Sequence, residues 1–477
     1  MAKATAQPVK GTRDFLPLDV RRRNHVTGVI REVFEAHGFE PLETPAIERL
    51  DTLMGKYGDE GDQLLFKILR RGQPLVEGVR EASAFIADES NLVEGRSGTT
   101  APGAEPLLGD LGLRYDLTVP LARVVAGHQG KLPAVFKRYQ IQPVWRADTP
   151  GKGRFREFYQ CDMDVVGADS LVVEAEVTGA AAEAMRRLGF TDFAIRLNHR
   201  ALLRALIEAA GIDASLETSA IVAIDKLDKV GRDGVARELE ARGVSPGSRD
   251  KLLLLLGQDD DGDGTPTLQQ IKQNLAEHPA GRAAIDELEQ VMTLAVDTPA
   301  AAHLRFDVTL ARGLGYYTGC IFEVQVADLA GSLGGGGRYD GLIGMFSGRD
   351  VPACGITLGL ERILVVMAER GMYPDSLVPV DVVVAAASGE QLGGAMRLAG
   401  ALRREGLRVD LRPRARKPGK LRQQADSDGL PAAVWLERDQ PAGANLWLRK
   451  PEGGGDTIRD LEADAILQRL KTHLEKS

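Results

Sequence analysis

The residues whose chemistry stands out first lie in one stretch, Phe136 to Gly167, FKRYQIQPVWRADTPGKGRFREFYQCDMDVVG. Arg146, Arg154 and Arg156 bracket a short polar loop there, and guanidinium is the group suited to bidentate contact with phosphate or carboxylate. Phe158, Gln160, Asp162 and Asp164 follow at every second position, so an extended chain sets all four on one face. Polar groups on such a face need partners. Two readings fit: an edge hairpin with solvated charges, or an anion-binding mouth beside a polar strand.

Periodicity indicates the elements that must hold these residues. Tyr139 to Trp145 and Phe158 to Val166 are apolar and aromatic, and Asp148 to Gly153 between them carries Pro and two Gly, which predicts an antiparallel hairpin. Upstream, Val26, Val29, Ile30, Val33 and Phe34 recur at helical spacing in a helix expected from Val20 to Ala36, with Gly38 as its stop. FEPLETPAIE, with Pro45, reads as an edge strand. From Arg71 to Gly109 the pattern weakens into Gly, Ser, Glu and Pro, the composition of a mobile surface excursion. LGLRYDLTVPLARVVA predicts a strand, Leu111 to Leu117, entering a helix with Pro120 in its first turn and Thr118 as N-cap.

After the hairpin come a helix from Asp169 to Leu188, a strand from Phe193 to Asn198, and a mostly helical interval, 201–301. Asp307 to Val326, DVTLARGLGYYTGCIFEVQV, reads as strand, turn, strand, with Tyr316 and Tyr317 on opposite faces of an extended chain. The four consecutive glycines of SLGGGGRYDGLIGMF suit close backbone approach to a ligand, in neither P-loop nor Rossmann spacing. CGITLGLERILVVMAER is a strand running into an apolar helix.

A chain of 477 residues is too long for one ordinary core. A Pro-containing connector, Gly371 to Pro379, precedes a second α/β pattern: strand Val380 to Ala387, helix Glu390 to Glu405, strand Leu407 to Leu411, a basic helix near Lys417 to Ala425 and strand Ala432 to Leu436. Nine Lys or Arg lie between Arg403 and Arg422, against Glu405 and Asp410, whereas the whole chain carries a net charge of −8. Any nucleic-acid contact must therefore be local, and this basic segment is either a solvated face or such a contact.

No apolar run is long enough to span a membrane, and the N-terminus lacks the apolar core of a signal peptide, so a cytoplasmic protein without a membrane partner is expected. Cys161, Cys320 and Cys354 lack metal-ligand spacing and read as buried small residues in a reducing compartment. In DDDGDGTPTLQQ, Asp259, Asp261, Asp263 and Gly264 match an EF-hand loop, but Gln270 stands where a bidentate Glu is needed and Pro266 interrupts; an acidic interhelical turn is expected.

WRAD followed by GKGRFREF resembles the second signature motif of the class II aminoacyl-tRNA synthetases, and FYQCDMDVVG resembles its histidyl form. FEPLETPAIE looks like the first motif, which forms the dimer interface in that class, and GLER like the third. RGLGYYTG is similar to the histidine-specific RGLDYYTG, with Gly315 where Asp is common. The motifs cover nearly the whole chain in the right order, and it is identified as a member of the histidyl-tRNA synthetase family. The resemblance implies an α/β (α+β) fold with a class II antiparallel-sheet catalytic domain in two parts, 1–200 and 302–372. A helical insertion domain at 201–301 would approach the tRNA acceptor arm, and a C-terminal α/β domain at 379–477 would bind the anticodon.

It also implies ATP-dependent attachment of histidine to tRNA(His) through a histidyl-adenylate, with Mg²⁺, by a homodimer. No nucleophilic side chain is needed, because the histidine carboxylate attacks the α-phosphate while fixed guanidiniums stabilise the charge that develops. By resemblance, Arg146 and Arg312 hold the α-phosphate and the histidine carboxylate, Arg154 and Arg362 hold the outer phosphates, and Phe158 stacks on adenine. Asp116, Thr118 and Gln160 take the amino and carboxylate end of histidine, and Asp164, Tyr316, Tyr317 and Tyr339 complete its pocket. Asp148 and Asp164 stand where Glu is usual. Thr149 and Gly151 occupy positions at which the commonest bacterial members carry Arg and Gln against the extra 5′ guanosine of histidine tRNA. Two rivals are a catalytically silent paralogue that regulates histidine biosynthesis and a synthetase for another amino acid. Arg312 and residues 380–477 oppose the first, and GLGYYTG opposes the second.

Overall fold

The structure, a computed structural model, describes residues 6–95, 98–256, 267–311, 315–329, 331–374, 377–437 and 443–475. Its architecture follows from a strand buried on both faces. In Glu157–Val166, Cys161, Met163 and Val165 are buried on one side and Gln160, Asp162 and Asp164 on the other. Such a strand belongs inside a sheet covered on both sides.

That sheet has eight strands: β1 Glu40–Pro41, β2 Phe136–Trp145, β3 Glu157–Val166, β4 Phe193–His199, β5 Leu304–Phe306, β6 Cys320–Val326, β7 Gly334–Arg338 and β8 Ala353–Gly359. Their spatial order is β1-β2-β3-β8-β7-β6-β4-β5. The six inner strands are antiparallel throughout, and β1 and β5 add parallel edges. Pro41 sits on an edge strand, where its missing N–H costs no ladder bond.

Helix Val172–Arg187 packs on β8 and β3, and Leu360–Glu369 also packs on β3. The first is buried almost all round because Ala175, Ala180, Ala181, Ala182 and Ala184 let it approach the sheet closely. It carries one charge inward: Glu174, fully buried, takes Arg338 of β7 at 2.8 Å from Nη2 to Oε2. Pro279–Leu294 packs on this helix and on β4. Cys161, Cys320 and Cys354 lie on β3, β6 and β8, all buried as expected, and burial pushes their thiols up.

Four expectations need correction. FEPLETPAIE is two short strands in different sheets, with Pro45 between them: β1, and Ile47–Arg49, which pairs with Gly109–Leu113 in a three-stranded sheet completed by Lys67–Leu69. The interval 71–109 is not a structureless excursion. It holds a helix, Gln73–Ala87, whose apolar Val76, Val79 and Ile86 remain exposed, and a hairpin, Val93–Gly95 with Gly98–Thr100. Asp307 to Val326 is not a hairpin either. β5 ends at Phe306, where Asp307 turns the chain by accepting from Thr309 N at 2.9 Å, and β5 and β6 lie on opposite sides of β4. The fourth concerns Thr118 and belongs with the site.

The EF-hand candidate at 259–266 lies outside the described residues, while Gln270 forms a capping box with Thr267 at the start of helix Leu268–Asn274. Among the described residues no helix is long and apolar enough to cross a membrane.

The chain packs as two compact units, one holding the segment up to Asp14 with Arg23–Met372 and the other Phe15–Arg22 with Tyr373–Ser477. The second contains a five-stranded sheet of β9 Val382–Ala386, β10 Val409–Leu411, β11 Ala432–Leu436, β12 Ala444–Arg449 and β13 Gly455–Leu461, in the order β10-β9-β11-β12-β13. Helices Leu392–Arg404 and Ala463–Leu474 share one core, and Pro418–Ser427 seals the other face through Leu421 and Ala425. The β12–β13 hairpin and the last helix were not expected. Within the basic segment Arg408 pairs with Asp381 and Arg412 with Asp410, whereas exposed Arg404, Arg414, Lys417 and Lys420 have no ion-pair partner among the described residues.

Removing one member of a buried ion pair leaves the other uncompensated, at a cost of about 3–5 kcal/mol. Glu174→Ala should therefore lower the thermal midpoint of the larger unit by several degrees, measured by calorimetry. A midpoint within a degree of the parent would show that Arg338 finds water instead.

Candidate active site

The β2–β3 register sets Arg138 opposite Asp164, Gln140 opposite Asp162 and Gln142 opposite Gln160, so the polar faces of the two strands meet. Arg138, fully buried, lies with Nη2 at 2.8 Å from Asp164 Oδ2 and 3.9 Å from Asp162 Oδ2, and Nη2 also donates to Leu117 O at 3.2 Å. Next to β3, β8 brings Gly355 opposite Asp164 and Thr357 opposite Asp162. A Cβ on Gly355 would sit 2.0 Å from Asp164 Oδ1, so glycine is required there. On β7, a Cβ on Gly337 would come within 3.0 Å of the Tyr317 ring. The glycine run is thus a central strand whose bare surface floors a cavity.

The cavity is lined by carboxylates and phenols. Asp116 Oδ1 accepts from Tyr57 OH and Val119 N, each at 3.1 Å, and Oδ2 accepts from Tyr316 OH at 3.2 Å. Asp116, rather than Thr118, therefore caps helix Thr118–Gly127; Thr118 is already in its first turn. Tyr339 OH donates to Asp164 Oδ1. Tyr316 and Tyr317 do not point apart: they lie in a turn, edge to face at 5.0 Å, and both line the cavity. Among the described residues Gln160 Oε1 has no hydrogen-bond partner and Asp164 Oδ2 has only its ion pair with Arg138, leaving buried acceptors with lone pairs for a ligand's N–H groups.

Outward, the cavity shares Arg146, Gln160, Gly335 and Thr357 with a cleft of about 280 Å³. Arg146 donates from Nε to Tyr115 O at 3.1 Å and lies over the Tyr115 ring at 4.1 Å and the Phe158 ring at 5.1 Å. Arg362 Nη1 donates to Ser332 O at 2.6 Å, and Arg154 and Asp148 complete the rim. Arg156 instead turns back to Asp148 O at 3.1 Å, while its N–H donates to Gly11 O at 2.7 Å, pinning the N-terminal segment to the loop. Glu361, beside Arg362, is buried and accepts Tyr159 N with both oxygens, at 3.1 and 3.0 Å.

Burial dominates the electrostatics. It raises Asp116, and it pushes Asp162 up to about 7, where the nearby Asp164 adds to the effect and Arg138 opposes it. Asp164 is also raised by burial despite its ion pair with Arg138, because one guanidinium cannot offset desolvation of two carboxylates. Burial pushes Glu361 up to about 7. It also raises the phenols of Tyr57, Tyr316, Tyr317 and Tyr339, so all four stay protonated donors.

Arg146, Arg154, Phe158, Gln160 and Arg362 thus meet in the cleft, and Asp116, Thr118, Asp164, Tyr316, Tyr317 and Tyr339 in the cavity. Arg312 lies outside the described residues. Arg138, Tyr57, Thr357 and Glu361 have no place in the sequence-based site, and Asp162 enters it only as part of the polar strand face. The signal for Arg138 was its place across the hairpin from Asp164.

An antiparallel sheet used in this way, with arginines of the hairpin loop and of helix Leu360–Glu369 sharing a cleft on its polar face, is the catalytic fold of the class II aminoacyl-tRNA synthetases. A sequence profile of the histidyl-tRNA synthetases matches residues 11–80 and 109–363. The histidine–tRNA ligase of Christiangramia forsetii is 41% identical over 96% of this chain and 98% of its own, and that of Gloeobacter violaceus 40% identical over 92% and 93%. The crystal structure of histidyl-tRNA synthetase from Nostoc sp. PCC 7120 superposes with a TM-score of 0.75 at 28% identity, covering 98% of this chain and all of that one. The chain belongs to the histidyl-tRNA synthetase family.

Glu361 yields a pH prediction. Its carboxyl titrates near 7 when folded and near the ordinary 4.5 when unfolded, so folding takes up a proton between those values. The stability it contributes is full below about pH 4.5 and is lost as pH rises through 7. Glu361→Gln should make the fall in thermal midpoint between pH 5 and pH 7.5 shallower than in the parent. An unchanged slope would mean that the carboxyl is ionised in the fold.

Proposed function

We propose that the chain activates histidine with ATP and transfers it to tRNA(His). The observation that carries this reading is the continuity of cleft and cavity: arginines suited to phosphates open onto an inner space whose buried acceptors, the unpartnered Gln160 Oε1 and the Asp164 carboxylate shared with Arg138, suit a ligand rich in N–H donors. ATP fits the cleft, with Phe158 against adenine, Arg146 on the α-phosphate, and Arg154 and Arg362 on the outer phosphates. The histidine amino group lies on Asp116, Thr118 and Gln160, its carboxylate reaches Arg146 and Arg312, and its imidazole faces Asp164, Tyr317 and Tyr339. Mg²⁺ would be held chiefly by the phosphates of ATP and would supply charge neutralisation there.

In-line attack by the histidine carboxylate builds negative charge at the α-phosphate, and guanidiniums already held by Tyr115 O and Ser332 O stabilise it without reorganising. An amino acid lacking ring N–H groups leaves buried acceptors unpaired, at about 1–3 kcal/mol each. Residues 1–200 and 302–372 act as catalytic domain, 201–301 as helical insertion and 379–477 as anticodon-binding domain. Exposed Arg404, Arg414, Lys417 and Lys420 support RNA contact by that last part. Exposed Ile47, Leu69 and Leu111 on the three-stranded sheet support a homodimer through the first motif. The enzyme works in the cytoplasm.

Amino-acid-dependent pyrophosphate exchange with ATP tests this reading. Histidine alone of the standard amino acids should support exchange, and Arg312→Ala should lower it by about 10² or more in a folded protein. Exchange with another amino acid, or near-normal exchange by the variant, would sink the assignment.

The central loop makes a further prediction about the RNA. Gly151 has no side chain, and Lys152 is held at 2.8 Å by Glu369. A phosphate contact by Lys152 would position the acceptor end without reading a base. Transcripts with and without the extra 5′ guanosine should be charged at similar rates. A fall of about 100-fold in kcat/KM without it, roughly 2.7 kcal/mol, would show that another residue reads that base.

A further inference from the structure

Asp162 lines the inner cavity together with Asp164, two residues along the same strand face, and the histidine pocket assigned above gives it no role. Each facing element presents it with a definite group. β2 supplies the Arg138 guanidinium at 3.9 Å, and β3 supplies Asp164 and the amide of Gln160, whose Nε2 donates to Asp162 Oδ1 at 3.4 Å. β8 supplies the uncharged Thr357 hydroxyl, in register opposite Asp162, where it favours the ionised carboxyl. Asp116, after Gly109–Leu113, and the Tyr317 phenol, before β6, add one more carboxylate and one neutral donor, and Arg146 closes the outer side. Among these described groups three carboxylates face two guanidiniums. Arg146 is engaged outward by Tyr115 O and the aromatic rings, so Asp162 and Asp164 are left to share Arg138.

Two buried carboxylates around one cation hold a proton between them at neutral pH, because ionising both desolvates a second uncompensated charge. Imidazole is a base of ordinary pKa near 6.5 that becomes a cation on taking one proton, with N–H donors at both ring nitrogens. Asp164 Oδ2, held at 2.8 Å by Arg138 Nη2, has a further lone pair that can accept one of them.

We propose that Asp162 is a specificity-determining residue of the histidine pocket: it carries the proton shared with Asp164 and passes it to the incoming imidazole, so that histidine is bound as its imidazolium between two ionised carboxylates. The balance is simple. One O–H bond of the carboxyl pair breaks, one N–H bond of the ring forms, and no net proton is exchanged while the pair starts protonated. At a pH where the pair has already lost its proton, binding must take one from solvent. Affinity is therefore full while the pair holds its proton and falls as pH rises through the range in which the pair ionises. This inference rests on histidine being the substrate.

Calorimetric titration of the full chain with L-histidine, in two buffers of different ionisation enthalpy, tests it. From pH 7.0 to 8.5 the dissociation constant of the parent should rise about tenfold, with proton uptake approaching one per histidine at the upper end. Asp162→Asn should flatten the rise and remove the uptake. Thr357→Val removes the hydroxyl that favours the ionised Asp162 and that accepts from Gln160 Nε2 at 3.4 Å, so it should shift the midpoint of the rise to higher pH; this also tests the idea should the asparagine variant not fold. A flat dissociation constant in the parent, uptake unchanged in Asp162→Asn, or a midpoint unmoved in Thr357→Val would overturn the proposal and leave the substrate reading standing. No binding of histidine by the parent would sink the substrate reading itself.

Discussion

The guanidinium of Arg138 is the group that allows the polar face of β3 to be buried at all. A carboxylate taken out of water without a cation costs several kcal/mol, and this face carries two of them, at Asp162 and Asp164. Arg138 reaches both from the neighbouring strand and is tied to Leu117 O, the last residue before the helix that Asp116 caps. One cation thus joins the hairpin to the segment on the far side of the cavity. The bare strands follow from the same constraint, since with the Asp164 carboxylate over Gly355 no side chain fits between β3 and β8.

The second brace lies at the other end of β3. Glu361 enters helix Leu360–Glu369 at its first turn, and it holds Tyr159 N with both oxygens. Arg362, the next residue, is aimed into the cleft by that grip and by Ser332 O. Arg156 and Gly11 clamp the loop from the N-terminal side. Arg146 and Arg362 are therefore held by bonds already made before any ligand arrives, which is the condition for stabilising charge without reorganisation.

Much of this was legible in the sequence, and the limits have physical causes. The hairpin was readable because strand and loop chemistry agreed, and the buried cysteines because their spacing suits no metal. The partner of Asp164 was not found because side-chain pairing follows from register, and the two strands were read singly. The strands on either side of β4 were mistaken for a hairpin because proximity in sequence favours local pairing, whereas β5 runs parallel to β4 and β6 antiparallel to it. Helix Gln73–Ala87 escaped notice because the Gly- and Pro-rich run after it dominated the composition and its apolar residues stay outside. The β12–β13 hairpin was missed because PEGGGD reads only as a loop and β13 buries little.

The three thiols have a practical meaning of their own. Cys161, Cys320 and Cys354 sit on three strands of one sheet, protonated and shut away from water. A thiolate is the reactive form, so alkylating reagents and peroxides find no target while the sheet is closed. Each cysteine becomes reactive only when its own strand is exposed. The chain thus carries three built-in chemical clocks, one in the central hairpin and one on each of β6 and β8, the strands flanking the glycine run, whose rates of modification report separately how often each part of the catalytic sheet opens.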